Sequence, residues 1–146
     1  MVDVEETKVG AHALLVNRDG KVILQQRDNN PGIVNPGLIA MFGGSLKAGD
    51  TLKSGLKREL EEELELNIES YDVKEVCVLY KTKEIDGQDY EAHIFVVKPV
   101  DERLLRVHEG SGFVCDYPDN MVKNDKLTRI TKLALEKYLL AKIRIP

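Results

Sequence analysis

An α/β sandwich, a mixed sheet held between helices, is the fold class that three features of this 146-residue sequence predict. Strand-like and helix-like segments alternate in blocks, in the order strands, helix, strands, helix. Two turn signals, Asp19-Gly20 and Ile85-Asp86-Gly87-Gln88, join neighbouring strands at hairpin spacing. Such spacing implies antiparallel or mixed pairing rather than a regular βαβ winding. Two segments with helical periodicity carry apolar stripes that must be buried against the sheet.

The elements follow in order. Residues 9–17 read as a buried strand and 21–27 as its return strand, with Val22, Leu24 and Gln26 on one face. Residues 28–37 hold two Pro, two Gly and three Asn, and so form a loop. Residues 38–42 make a short apolar strand that runs into Gly43-Gly44. Residues 51–64 are the clearest helix, with Thr51 as N-cap and Leu52, Leu56, Leu60 and Leu64 recurring every fourth position. Residues 71–83 and 89–99 are the strands of the second hairpin, and 113–116 add a short strand. Residues 126–142 are an amphipathic helix, with Leu127, Ile130, Ala134, Tyr138 and Ala141 on one stripe.

Composition removes several classes. A chain that is 42% hydrophobic and 32% charged buries enough apolar surface to fold and is neither disordered nor fibrous. Its length suits one domain, 1–146, with 1–8 and 143–146 expected as flexible ends. Acidic residues number 25 against 21 basic, which argues against a nucleic-acid partner. Apolar runs are as short as Ala13-Leu14-Leu15-Val16, so no membrane span is expected. The acidic start, Met1 to Glu6, lacks an apolar signal region. Cys77 and Cys115 match no metal or redox spacing and read as two reduced thiols, which together point to the cytoplasm.

The chemistry concentrates in Arg58-Glu59-Leu60-Glu61-Glu62-Glu63-Leu64-Glu65. At about 100° per residue, Glu62 and Glu63 lie about 60° and 40° either side of Glu59, so three carboxylates share one face beside the leucine stripe. Glu61 and Glu65 point to solvent. Like charges at helical spacing oppose each other by roughly 0.2–0.5 kcal/mol per pair, a repulsion that a divalent cation relieves. Hard oxygen ligands suit Mg²⁺ or Mn²⁺. A solvated acidic face would show the same local pattern. The loop Gly43-Gly44-Ser45-Leu46-Lys47-Ala48-Gly49-Asp50 precedes the helix, and its glycines let backbone approach a ligand closely.

Gly44, five residues, Asp50, seven residues and Arg-Glu-Leu-Glu-Glu-Glu together resemble the signature of the Nudix (MutT-like) hydrolases. Ile23 to Arg27, Pro36-Gly37 through Gly44, and His108-Glu109-Gly110 with Phe113 resemble flanking family segments. The sequence departs from the family pattern at Asp50, where the family has Glu, and at Glu65, where it usually has Gly. Lys47 and Ile39 also stand where other residues are common. The resemblance implies hydrolysis of a nucleoside diphosphate linked to another group, with Mg²⁺ (or Mn²⁺) as cofactor. It implies Glu59, Glu62, Glu63 and the Gly43 carbonyl as metal ligands, and Glu62, Arg58 and Glu109 in catalysis. Arg58 is expected to orient an acidic side chain such as Asp50, and Glu109 is the candidate for a further ligand or general base. Arg27, Gly44 and Phe113 are candidates to bind substrate, with Phe42 and Tyr80 further rings that could stack on a base. Glu91 and His93 rank behind Glu109. A small nucleotide, most simply a nucleoside triphosphate, oxidised or not, is the expected substrate. A nucleotide sugar, ADP-ribose, and binding without catalysis stay open, as does a homodimer.

Overall fold

A computed structural model describes residues 8–33, 35–81, 89–108 and 110–144. The second hairpin turn and Glu109 lie outside the described residues. The strands are β1 (Lys8–Val16), β2 (Val22–Gln26), β3 (Ile39–Ala40), β4 (Phe42–Ser45), β5 (Asp72–Lys81), β6 (Tyr90–Lys98) and β7 (Gly112–Asp116). The helices are α1 (Leu52–Leu64), a short α2 (Pro118–Met121) and α3 (Arg129–Arg144), with 3-10 turns at Ile68–Ser70 and Glu102–Leu104.

All seven strands join one mixed sheet, ordered β3-β2-β1-β6-β5, with β4 added to β1 and β7 to β2. β1 is its axis and pairs in parallel with β6 along its whole length, from Lys8↔Tyr90 to Leu15↔Val97. Its other edge is shared: Leu15 and Val16 pair with β2, while Gly10 to Ala13 pair with β4. Alternation along β1 feeds two cores, because successive side chains point to opposite faces. Ala11, Ala13 and Leu15 meet Leu56, Leu60 and Leu64 of α1. Leu14 and Val16 meet Ala134, Leu135 and Tyr138 of α3. The predicted α/β/α sandwich is therefore the observed one. Each fully buried leucine of α1 contributes about 1.5–3 kcal/mol by leaving water.

α1 starts where its sequence says. The Thr51 N–H donates to Ser54 Oγ (2.8 Å) and the Ser54 N–H to Thr51 Oγ1 (3.0 Å), a reciprocal cap. It ends at Glu65, which holds a left-handed conformation (φ 54°) and donates its N–H to the Glu61 carbonyl. Glycine favours that conformation because it has no Cβ to clash.

Two expectations change. Residues 38–42 are not one strand: β3 pairs with β2 and β4 with β1, because β2 and β4 share the same edge of β1 and the chain must change partner. At the change, the Met41 N–H donates to Thr131 Oγ1 (3.2 Å) in place of a strand partner. The last helix begins at Arg129 rather than 126, since Lys126 to Thr128 are taken up beside β3. The Ile39 N–H donates to the Lys126 carbonyl (2.8 Å) and the Thr128 N–H to the Ile39 carbonyl (2.9 Å). Thr128 Oγ1 then accepts from the Thr131 N–H (3.3 Å) at the helix start. Lys8 opens β1 and α3 reaches Arg144; the remaining end positions, 1–7 and 145–146, lie outside the described residues.

Candidate functional site

α1 and β4 build the site between them. The Glu63 carboxylate turns inward, is almost wholly buried, and accepts the Gly43 N–H at 3.0 Å. Gly43 has φ 130°, outside the range of ordinary side-chain-bearing residues, and a Cβ there would collide with the Ala11 carbonyl oxygen. A Cβ on Gly44 would come within 2.9–3.0 Å of the Glu59 carboxylate. Glu59 thus lies directly on the bare backbone of Gly44.

Arg58 holds the carboxylates together. Its Nη2 donates to Asp50 Oδ2 (2.8 Å) and its Nη1 to Glu59 Oε1 (2.9 Å), with Glu62 Oε2 3.7 Å from Nη1. Asp50 is also the acceptor for the Lys47 N–H (2.8 Å). The Lys47 N–H, and then the Arg58 guanidinium, hold the Asp50 carboxyl below its usual pKa. Asp50, with its shorter side chain, thus reaches both the Arg58 guanidinium and the Lys47 N–H. Arg58 Nε is buried and has no partner.

The helical face carries Glu59, Glu62 and Glu63, and the three differ in depth. Glu63 faces β4, the Glu59 side chain is 17% exposed and that of Glu62 55%. Glu61 and Glu65 are exposed, as their helical angles require. The donor chemistry fits a hard divalent cation, because the donors are carboxylate oxygens and the Glu59 carboxylate faces Gly44, which has no side chain to fill the space. Among the described residues no three His, Cys, Asp or Glu side chains are already gathered as a metal site; Arg58 draws Glu59 and Glu62 to itself.

A second segment closes on the end of α1. The Arg106 N–H donates to the Leu64 carbonyl (3.1 Å) and the His108 N–H to the Glu63 carbonyl (2.8 Å). His108 Nε2 lies 2.6 Å from Glu65 Oε2. Gly110 packs against the Gln26 carbonyl with φ 84°. His108 is thus tied to the end of the carboxylate helix, while Gly110 lies against β2. Arg27 follows β2, with Nη1 3.4 Å from Gln25 Oε1.

The aromatic candidates separate. Phe113 pairs with Gln25 across β2 and β7 and is half-buried against the α1-side core. Phe42 is completely buried, so no face of its ring is free to stack on a base, and that expectation falls. Tyr80 stands out from β5, 69% exposed. Glu91 and His93 do not join the α1 carboxylates; His93 lies between Glu75 (2.7 Å) and Glu91 (2.6 Å). The i,i+2 pair Glu91/His93 was legible, while Glu75 depends on strand register. A His12–Tyr90 hydrogen bond (2.8 Å) behind β4 had no sequence signal, because the two residues are 78 positions apart.

The comparisons agree with this geometry. The family model described as NUDIX domain matches residues 6–133. The chain belongs to the Nudix family of hydrolases, which act on nucleoside diphosphates linked to a second group and generally use divalent cations. Its fold is similar to that of the ORF135 protein of E. coli (23% identity, TM-score 0.79, 100% of this chain and 98% of that chain). It is also similar to a MutT NUDIX hydrolase from Burkholderia pseudomallei (24%, TM-score 0.73, 91% and 98%) and to a MutT protein from Methanosarcina mazei Go1 (17%, TM-score 0.81, 97% and 99%). At these identities the likeness concerns the fold. A search of curated proteins finds no match. No described helix is long and apolar enough to cross a membrane.

Proposed function

We propose that this chain is a Mg²⁺-dependent nucleoside triphosphate pyrophosphohydrolase, with oxidised nucleotides among its substrates. The observation that carries the reading is the Arg58-anchored carboxylate set lying on the side-chain-free Gly43–Gly44 strand. A bound divalent cation supplies charge neutralisation of the diphosphate and an acidified water. Glu59, Glu62, Glu63 and the Gly43 carbonyl are assigned to hold it. Glu63 is already locked to the Gly43 N–H, so it fixes the spacing of helix and strand. Glu62, the most exposed of the three, is the one with freedom to move and accept a proton from water. Arg58 keeps Glu59 oriented through Nη1 while Asp50 accepts from its Nη2. Glu109 is assigned as a further acid or base because the preceding residue, His108, is bonded through its N–H to the Glu63 carbonyl. Arg27, Gly44 and Phe113 are assigned to the substrate, Arg27 as a cation suited to phosphate.

Hydrolysis of nucleoside triphosphates, their oxidised forms, nucleotide sugars and ADP-ribose, each in Mg²⁺ and in Mn²⁺, tests the reading. Metal-dependent release of pyrophosphate is expected from the native chain. Glu62→Gln should lower kcat about 10²–10⁴-fold. Turnover that survives the substitution unchanged would remove Glu62 from the chemistry. Preference for a nucleotide sugar or ADP-ribose would move the substrate class, and nucleotide binding without turnover would leave a binding module.

A further inference from the structure

A polar group behind the glycine strand is left unused by this chemistry. Tyr90 stands at the start of β6, level with Lys8 of β1. Its ring crosses β1 at Gly10, where a Cβ would collide with the Tyr90 hydroxyl, so the crossing exists only because residue 10 has no side chain. Beyond Gly10 lies Ser45 of β4, its register partner, and a Cβ on Gly10 would also lie 3.0 Å from the Gly44 carbonyl oxygen, so the hydroxyl sits beside β4. His12 Nε2 is 2.8 Å from the same hydroxyl, and His12 is the register partner of Gly43.

The hydroxyl therefore lies between His12, the partner of Gly43, and Gly10, the partner of Ser45, two positions of β1 that bracket Gly43 and Gly44. That pair has no side chains with which to hold its own position, and among the described strands β4 pairs with β1 alone. Burial lowers the His12 pKa to about 4, with nearby Lys81 adding to the effect, so the ring is neutral at neutral pH. Burial raises the Tyr90 pKa; the Ser45 hydrogen bond opposes the rise and the Glu59 charge adds to it. A neutral hydroxyl–imidazole pair is thus the resting state.

We infer that Tyr90 is a positioning residue: its hydroxyl, bonded to His12 and set against β4 at the Gly10–Ser45 register position, fixes the height of Gly43 and Gly44 against Glu59 and Glu63. A displacement of that strand carries the Gly43 carbonyl and the Glu59 seat with it, and misplacement by about 1 Å is enough to cost on the order of 10²-fold in rate. The inference rests on the hydrolase reading above.

Tyr90→Phe, which deletes only the hydroxyl, is the first test. Three quantities are measured: kcat and KM for the nucleoside triphosphate the native chain turns over fastest, the melting temperature, and Mn²⁺ affinity by electron paramagnetic resonance without nucleotide. A kcat lowered about tenfold or more, with KM unchanged and Mn²⁺ binding weakened severalfold, is expected. Ser45→Ala, at an exposed position, should shift the same quantities less. His12→Gln, whose amide can still accept the hydroxyl proton, should retain more activity than His12→Ala. Native kcat and native Mn²⁺ affinity in Tyr90→Phe would overturn the inference even if the melting temperature falls. If that variant does not fold, native values in Ser45→Ala, or no advantage of Gln over Ala at residue 12, would overturn it. Absence of metal-dependent turnover in the native chain would instead fault the hydrolase reading, and the Mn²⁺ measurement would still decide the role of Tyr90.

Discussion

Arg58 and His93 each gather carboxylates, and they do it by different means. Arg58 collects Asp50, Glu59 and Glu62 from its own helix and the loop before it. His93 takes Glu91 from its own strand and Glu75 from the strand alongside. The first cluster follows from helical periodicity and a short connection, so spacing along the chain nearly determines it. The second depends on an irregularity: pairing shifts register between Glu75 and Cys77. The bulge at Val76 puts Glu75 on the same face as Val78 and His93, and sends Cys77 and Leu79 to the α3-side core. The lesson is that a charge cluster on a helix is written in one segment, whereas a charge cluster on a sheet is written in two segments and their register.

If Arg58 is a fork that serves two carboxylates at once, lysine cannot replace it. An ammonium is a point charge without the guanidinium geometry. Arg58→Lys is expected to lower kcat roughly 10–100-fold in steady-state hydrolysis, with a native-like urea midpoint. A fully active lysine variant would show that charge alone is needed there.

His93 should act on stability and not on turnover. Burial by itself lowers its pKa, but the hydrogen bonds and charges of Glu75 and Glu91 outweigh burial and leave it raised. A histidine with a folded pKa above its unfolded value gives stability that is complete below about pH 6.5 and is lost as pH rises through the raised value. The melting-temperature difference between the native chain and His93→Gln should therefore shrink from pH 6 to pH 9. A difference constant over that range would mean that the two glutamates leave the ring with the pKa it has in the unfolded chain.

The smallest effect concerns the end of α1. Glu65→Gly removes a side chain from a left-handed residue and also the contact with His108. Relief of the backbone conformation should dominate, and thermal unfolding should show a gain of about 0.5–1 kcal/mol. A loss would assign the helix exit to the Glu65–His108 contact instead.

How much was legible can be argued from particular residues. Thr51, Leu56, Leu60 and Leu64 placed the helix correctly because cap and stripe are local properties. The mixed sheet followed from turn signals. Residues 38–42 misled because an apolar run does not say which strand it pairs with. Lys126 and Leu127 misled because they fit a helical stripe and were recruited by Ile39 instead. Among the site residues, Arg58 and Asp50 were anticipated together from spacing. The inward turn of Glu63 and the complete burial of Phe42 were not.

By itself the sequence determined the carboxylate helix, its cap, the glycine strand ahead of it and the family to which they belong. These depend on residues within about two dozen positions of each other, whose geometry the helix and loop set locally. Only the tertiary structure decided which carboxylate is buried, which edge of β1 each short strand takes, and that Tyr90 crosses β1 at Gly10 to meet His12. Those outcomes depend on register and packing between distant segments, and no spacing along the chain encodes them.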